Sequence, residues 1–303
     1  MFHQVVILKK IYEWFENSLS VNNPENPIYG YSFRTSIDKI NKAISILNAF
    51  GTGVRKFVKK ELPFEEVFSQ LSPQIRKAFL DETNKLRIVY ENRLELIKQT
   101  SSLIKKNNLS LDDYETIDSN NKKMISELNN WIAIRTKKSL FIREQSVNGK
   151  NNTLDIKAYE IKLIHSDNNS FDFMEESDGT QRLWDILEVL LTEKDKTFVI
   201  DELDRCLHPS LTYKFVKEFF KISENRNVQL IVTTHESRLL DFDLLRRDEI
   251  WFVNKRKTGE SDIYSLEEYN ERFDKKIDKA YLEGRYGGVP IFTTVFPIED
   301  IRI

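Results

Sequence analysis

The run Thr197-Phe198-Val199-Ile200-Asp201-Glu202 constrains this chain more than any other stretch. Four residues of strand character end abruptly in two acids, as a buried parallel strand does when its C-terminal edge forms a site. A helical stretch from about Ser210 to Ile222 follows, and then a second apolar run, Gln229 to Thr233. Strand, helix and strand at this spacing predict a βαβ unit with parallel strands, hence an α/β fold. Asp-Glu at a strand end has two readings. It can be an ordinary polar strand terminus. It can also be a site in which the first acid holds Mg²⁺ and the second orients and deprotonates a water.

Upstream, Glu176-Ser177-Asp178-Gly179-Thr180-Gln181-Arg182 opens a helix carrying Leu183, Trp184, Ile186, Leu187 and Leu190. Ser177 is a natural N-cap, and Gly179 lets an anion approach the backbone at the positive end of the helix dipole. A plain capped helix is the alternative. Downstream, Ile231-Val232-Thr233-Thr234-His235-Glu236 puts a histidine just past the next strand, 34 residues after Asp201. A histidine there can contact a γ-phosphate or its attacking water; a lone histidine is more often structural. Pro209 and Ser210 form a helix start after Leu203-Asp204-Arg205-Cys206-Leu207-His208.

Before residue 138 the chain reads differently. Ile11, Trp14, Phe15 and Leu19 recur at helical spacing, and Ser36 is a candidate N-cap for a helix through Ile37, Ile40, Ile44 and Leu47, ended by Gly51-Thr52-Gly53. Residues 54–135 read as helical and charged. From Arg55 to Lys106 twelve Lys or Arg face seven Asp or Glu, which fits a solvated helical subdomain with few contacts to the sheet, or a basic arm for nucleic acid. Strands are expected over Ser139–Val147, Leu154–Ile164 and Phe171–Met174.

Composition excludes several classes. No apolar run reaches a membrane span, no secretory leader pattern opens the chain, and Cys206 is the single cysteine, so neither a disulfide framework nor a cysteine zinc cluster can form within it. A cytoplasmic setting without membrane contact is expected. The net charge of -2 gives no global electrostatic reason for nucleic-acid binding.

Taken in order, Glu-Ser-x-Gly-Thr-x-Arg, Val-Ile-Asp-Glu-Leu-Asp-x-x-Leu-His-Pro and Thr-Thr-His-Glu resemble the AAA-annotated, ABC-type ATPases of bacteria, relatives of RecF, OLD nucleases and AbiL-type abortive-infection proteins. The tail Tyr281-Leu282-Glu283-Gly284-Arg285-Tyr286-Gly287-Gly288-Val289-Pro290 and the segment Ala49–Gly53 are similar to the same group, so the resemblance spans most of residues 40–292. It implies an ABC-type P-loop ATPase-like lobe with a parallel core sheet and a helical insertion, using ATP and Mg²⁺. Residues 1–53 would be a remnant of the N-terminal lobe, 54–137 the insertion, and 138–303 the lobe with signature, Walker B and switch histidine. Ser177 and Gly179 would belong to the signature that contacts the γ-phosphate of the opposite subunit. Asp201 would be the Mg²⁺-associated acid, Glu202 the catalytic base and His235 the switch histidine. His208 stands where many ABC proteins carry the D-loop aspartate.

One departure is large: no Gly-x-x-x-x-Gly-Lys-Ser/Thr occurs in the 303 residues. Gly51-Thr52-Gly53-Val54-Arg55-Lys56 follows a helix rather than a strand, with the wrong spacing. The expectation is the C-terminal part of an ATPase of phage defence or DNA metabolism, lacking its Walker A segment and weak or inactive alone. It would form composite sites as a homodimer or with a P-loop-bearing partner, with an effector protein and, through 55–106, a nucleic acid as further candidate partners. The alternative is a catalytically incompetent regulatory half. Neither an acidic Toprim cluster nor an Arg-x-x-x-x-His pair is present to suggest a nuclease.

Overall fold

The computed structural model describes residues 10–15, 18–22, 33–35, 37–71, 130–135, 139–148, 153–165, 169–192, 195–256, 258–269 and 277–289, with single positions between 73 and 99. In chain order its strands and longer helices are β1 (Leu19–Asn22), β2 (Phe33–Thr35), α1 (Ile37–Ala49), β3 (Lys56–Leu62), α2 (Phe64–Gln70), β4 (Asn130–Arg135), β5 (Leu140–Asn148), β6 (Thr153–Ile164), β7 (Ser170–Asp172), α3 (Asp178–Leu191), β8 (Lys196–Ile200), α4 (Pro209–Ser223), β9 (Val228–Val232), β10 (Trp251–Lys255), β11 (Ser261–Ser265) and α5 (Ile277–Leu282). The fold is mixed α/β. It divides into one compact unit of residues 1–207 with 222–233 and another of 208–221 with 234–303.

In the first unit a parallel sheet runs β1-β8-β9, with β8 at its centre. Phe198 and Ile200 of β8 are buried, as expected where both neighbours pair with the strand. The register aligns Asn22, Ile200 and Val232, so all three strands end at one level. The expected βαβ unit is therefore present, with strands one residue from their anticipated bounds. The expected helical recurrence of Leu19 is corrected. Residues 10–15 are helical, but Leu19 opens β1, where pairing with Thr197 decides its conformation.

A second, antiparallel sheet in this unit follows the order β2-β4-β5-β6-β3, with β7 also on β6. It corrects the expectation that residues 55–135 are helical and largely free of sheet contacts. Lys56–Leu62 pairs along its whole length with Ala158–Ile164, and Asn130–Arg135 pairs with β5. The charges of β3 hid the strand: Lys56, Lys59, Lys60 and Glu61 break up Phe57, Val58 and Leu62 on a charged edge, which also discourages edge-to-edge association. Lys59 pairs with Glu144 at 3.6 Å and lies over the Tyr159 ring. The described positions between 73 and 99 are helical; residues 101–129 and Ser36 lie outside the described residues.

Helix α1 packs on α3. The faces available for this are apolar: Ile40, Ala43, Ile44 and Leu47 on α1, and Leu183, Trp184, Ile186 and Leu187 on α3, are all buried. Phe173 meets Trp184 edge-on at 5.9 Å. Burial of α3 extends nearly round the helix and includes Gln181, Arg182 and Asp185, so its polar side chains need partners inside the protein.

The second unit holds the β10-β11 hairpin. Phe252 is stacked on Tyr286 at 5.3 Å and on Tyr281 at 5.6 Å. Tyr286, Leu266, Ile277 and Ala280 complete its core. The Gly284–Gly288 turn closes over the hairpin: Gly288 N–H donates to Asn254 Oδ1 at 3.2 Å and Tyr281 Oη donates to the Gly288 carbonyl at 3.3 Å. No helix among the described residues is long and apolar enough to cross a membrane.

Candidate functional site

The end of β8 is held from three directions. Asp201 N–H donates to the Asn22 carbonyl at 2.8 Å, continuing the β1 pairing one residue beyond the strand. Thr233 N–H donates to the Ile200 carbonyl at 3.0 Å, and the Thr233 carbonyl accepts from Leu203 N–H at 2.9 Å. From above, the buried Arg182 of α3 spreads its guanidinium over the turn. It donates to Asn22 Oδ1 at 2.9 Å, to the Asp201 carbonyl at 3.1 Å and to the Glu202 carbonyl at 2.9 Å. A planar fork of fixed donors suits such a three-point clamp better than a lysine would.

This leaves both acids at the surface of a hydrogen-bonded turn. Asp201 and Glu202 are partly exposed. Glu202 has φ 49°, a left-handed backbone uncommon for a residue with a Cβ. Its N–H donates to Thr233 Oγ1 at 2.9 Å, and the same hydroxyl donates to Asp201 Oδ1. Arg205 Nη1 stands 3.5 Å from Glu202 Oε2, an exposed pair that neutralises the carboxylate only weakly.

Helix α3 begins where the sequence indicates. Ser177 is the N-cap, its Oγ accepting from Thr180 N–H at 3.2 Å. Gly179 is tied to the acid turn. A Cβ placed there would lie 3.1 Å from the Cys206 carbonyl oxygen. The space expected for an approaching anion on that side of Gly179 is thus taken by the turn itself, and Cys206 is also left-handed at φ 61°. Just ahead of the cap, Glu176 Oε1 meets His165 Nε2 at 2.7 Å. A Cβ on Gly53 would approach His165 Nδ1 to 3.1 Å. The Gly51–Gly53 segment, β6 and the head of α3 therefore converge on one imidazole.

Among the residues expected from sequence, the structure brings Asp201 and Glu202 together and sets the Gly179 turn beside them through Cys206. His235 stands three residues past β9, in the second unit. Sequence reasoning missed Asn22, His165, Arg182 and Thr233. Arg182 and Thr233 sit inside the quoted motifs, where a buried cation and a hydroxyl at a strand end were the available signals. Asn22, beside a Pro/Asn-rich stretch, offered none.

A family model described as "AAA domain, putative AbiEii toxin, Type IV TA system" matches residues 85–241, just over half of the chain. The chain belongs to this AAA family. The match takes in α3, the acid pair and His235, so this AAA chain carries a nucleotide-binding ATPase domain. No curated protein matches it. A solved chain described as "Structural biochemistry of ATP-driven dimerization and DNA stimulated activation of SMC ATPases" is 18% identical, covers 47% of this chain and 81% of its own, and has a TM-score of 0.26. A likeness at that score carries no weight for fold or function.

The donor set can be compared with the needs of Mg²⁺. Among the described residues no group of three or more His, Cys, Asp or Glu side chains is arranged to hold a metal. A lone carboxylate fits Mg²⁺ nonetheless, because that ion keeps several waters and takes its other ligands from substrate phosphates. Asp201 has one oxygen engaged by Thr233 and one left to serve.

Proposed function

We propose that this AAA chain binds and hydrolyses ATP at composite sites of the ABC type. The observation that carries the reading is the fixing of Asp201 and Glu202 at the C-terminal edge of a central parallel strand, where ligands of open α/β sheets bind. In this reading Asp201 holds Mg²⁺, directly or through water, and the ion shields phosphate charge. Glu202 orients a water and takes its proton as the water oxygen attacks the γ-phosphorus; ADP leaves with the bridging oxygen. His235 contacts the γ-phosphate or that water. Ser177 and Gly179 face the γ-phosphate held by an opposite subunit, a second copy or a P-loop-bearing partner. The family description, which names an AbiEii toxin, supports a place in abortive infection with an effector protein as partner.

The nest of backbone N–H groups and the lysine of a P-loop are not among these 303 residues. Among the described residues none is placed to hold the β- and γ-phosphates in line, so in this reading they are cradled by chain outside these residues or by a partner. The second reading is a regulatory half offering its signature helix to a complete partner. Phosphate release decides between them. The first reading expects turnover when a P-loop-bearing relative is mixed with the chain, lost on Glu202→Gln and on Ser177→Arg. The second expects turnover that Ser177→Arg removes and Glu202→Gln leaves intact. Turnover indifferent to both substitutions sinks the composite site.

A further inference from the structure

We propose that Thr233 is a positioning residue for the acid pair, its one hydroxyl bridging the Glu202 backbone N–H and the Asp201 carboxylate; this rests on the reading of Asp201 as the Mg²⁺ acid. A threonine hydroxyl has one donor and two acceptor sites. Here Oγ1 accepts from Glu202 N–H at 2.9 Å and donates to Asp201 Oδ1. The backbone of Thr233 brackets the same two residues through Ile200 and Leu203. The hydroxyl therefore does two things at once. It satisfies an amide that the left-handed Glu202 turns away from the ladder, holding φ at 49°. It also fixes the rotation of the Asp201 carboxyl and so selects which oxygen remains for a metal.

Packing does not require this residue to be threonine. Thr233 is exposed and lies one residue beyond β9, where a valine would extend the Leu230-Ile231-Val232 pattern equally well. The hydroxyl is what the position uses. Preorganised polar groups of this kind act on a site by removing wrong orientations of the groups that touch the ligand.

The test uses the full chain with Thr233→Val, which keeps shape and removes both bonds, and Thr233→Ser, which keeps both. Asp201→Asn is the control. Protein-bound Mn²⁺ is followed by electron paramagnetic resonance as the chain is titrated with ATP and a P-loop-bearing relative whose own metal-binding acid is replaced by asparagine, and each variant is melted. Thr233→Val is expected to weaken Mn²⁺ binding roughly tenfold, the size of one lost hydrogen bond to a charged group. Thr233→Ser should stay within about twofold of wild type, since both bonds remain. If Asp201→Asn weakens Mn²⁺ binding but Thr233→Val does not, the proposal is overturned and the site reading stands. If the wild type binds no Mn²⁺, or Asp201→Asn is without effect, the site reading fails and takes the proposal with it. Equal loss of binding in the valine and serine variants, tracking a lowered melting temperature, would show a merely structural role and overturn it too.

Discussion

Arg182 Nη1 lies 2.9 Å from Asn22 Oδ1, joining α3 to the last residue of a strand 160 positions earlier in the chain. The same guanidinium holds the carbonyls of Asp201 and Glu202, so a single buried cation ties the start of α3 to the edge of the parallel sheet. A buried charge is tolerated only when its hydrogen bonds are made, and removing one side of such a network is costly. Arg182→Met should destabilise the protein by about 3 kcal/mol, and Arg182→Lys, which cannot reproduce the fork, by roughly half of that. Urea denaturation checks both. A double-mutant cycle with Asn22→Ala should give a coupling of about 1 kcal/mol or more; additivity would show that the pair does not act as a unit.

Ser177 tests a separate link. Its side chain accepts from Thr180 N–H, so Ser177→Ala should lower stability by about 1 kcal/mol, the usual loss for an N-cap. Ser177→Asp keeps an acceptor at the cap and adds a favourable charge at the helix N-terminus, so its melting temperature should stay near wild type. The same aspartate would repel a γ-phosphate. A stable Ser177→Asp chain that still supports turnover with a P-loop-bearing relative would remove Ser177 from the proposed composite site.

In the second unit two glycines of one turn separate backbone strain from crowding. Gly284 and Gly287 both have positive φ, 80° and 69°. A Cβ on Gly284 meets nothing within 4 Å, whereas one on Gly287 would lie 2.5 Å from Tyr264 Oη. That hydroxyl donates to the Tyr286 carbonyl and cannot step aside without losing its bond. Gly284→Ala should cost about 1 kcal/mol, the penalty of a left-handed alanine. Gly287→Ala should cost roughly 3 kcal/mol or more, because the clash adds to the same strain. Tyrosine fluorescence during chemical denaturation compares them; equal losses would mean that the aromatic core yields easily.

The alkaline limb of stability follows from two phenols. Burial, then the neighbouring Tyr269, pushes the Tyr264 pKa from 10.0 up to about 12. Burial, then its hydrogen bond to Glu144 and the charge of that carboxylate, does the same for Tyr159. An acid whose folded pKa is raised binds its proton more tightly when folded. Its contribution is fully present below pH 10 and is lost as pH rises from about 10 towards 12. Spectrophotometric titration of the native chain should therefore show late-titrating tyrosines, and denaturation midpoints should fall across that window. In Tyr159→Phe/Tyr264→Phe the midpoint should fall less steeply.

The contrast between what the sequence disclosed and what it hid has a physical basis. β8 and α3 were legible because their buried apolar residues carry the period of their own conformation, an apolar run for the strand and an apolar stripe behind a serine cap for the helix; β9, half-buried to exposed along its length, was legible from the run Leu230-Ile231-Val232. β3 was not, because as a charged edge its Lys56, Lys59 and Lys60 resemble the surface of a helix, and only pairing with β6 decides the matter. At the site, Asp201 and Glu202 were legible as acids ending an apolar run. Their supports were not, since Asn22 and His165 act through contacts distant in sequence, and a hydroxyl such as that of Thr233 has no pattern of its own.

Gly179 carries the last prediction, because two effects of similar size oppose each other there. Alanine is favoured over glycine inside a helix by about 1 kcal/mol. Against this, the new Cβ would stand 3.1 Å from the Cys206 carbonyl, a tight contact with backbone rather than with a flexible side-chain end. Whether the turn can retreat depends on its anchors. Leu203 and Leu207 are buried on either side of Cys206, Leu203 N–H is bonded to Thr233, and Leu207 N–H is bonded to the Asp204 carbonyl at 3.0 Å. Cys206 itself is exposed and already left-handed, so a few tenths of an ångström of outward movement is open to it. The two terms should nearly cancel, and Gly179→Ala should melt within about 1 kcal/mol of wild type. Gly179→Val has no such compensation. Its branched Cβ loses helix propensity and projects two methyls towards the carbonyl, for a loss of about 2 kcal/mol or more. Calorimetry on both variants distinguishes the cases. A large loss already in the alanine variant would mean that the acid turn is rigid, and that glycine is required there to let the turn approach the helix whether or not an anion ever does.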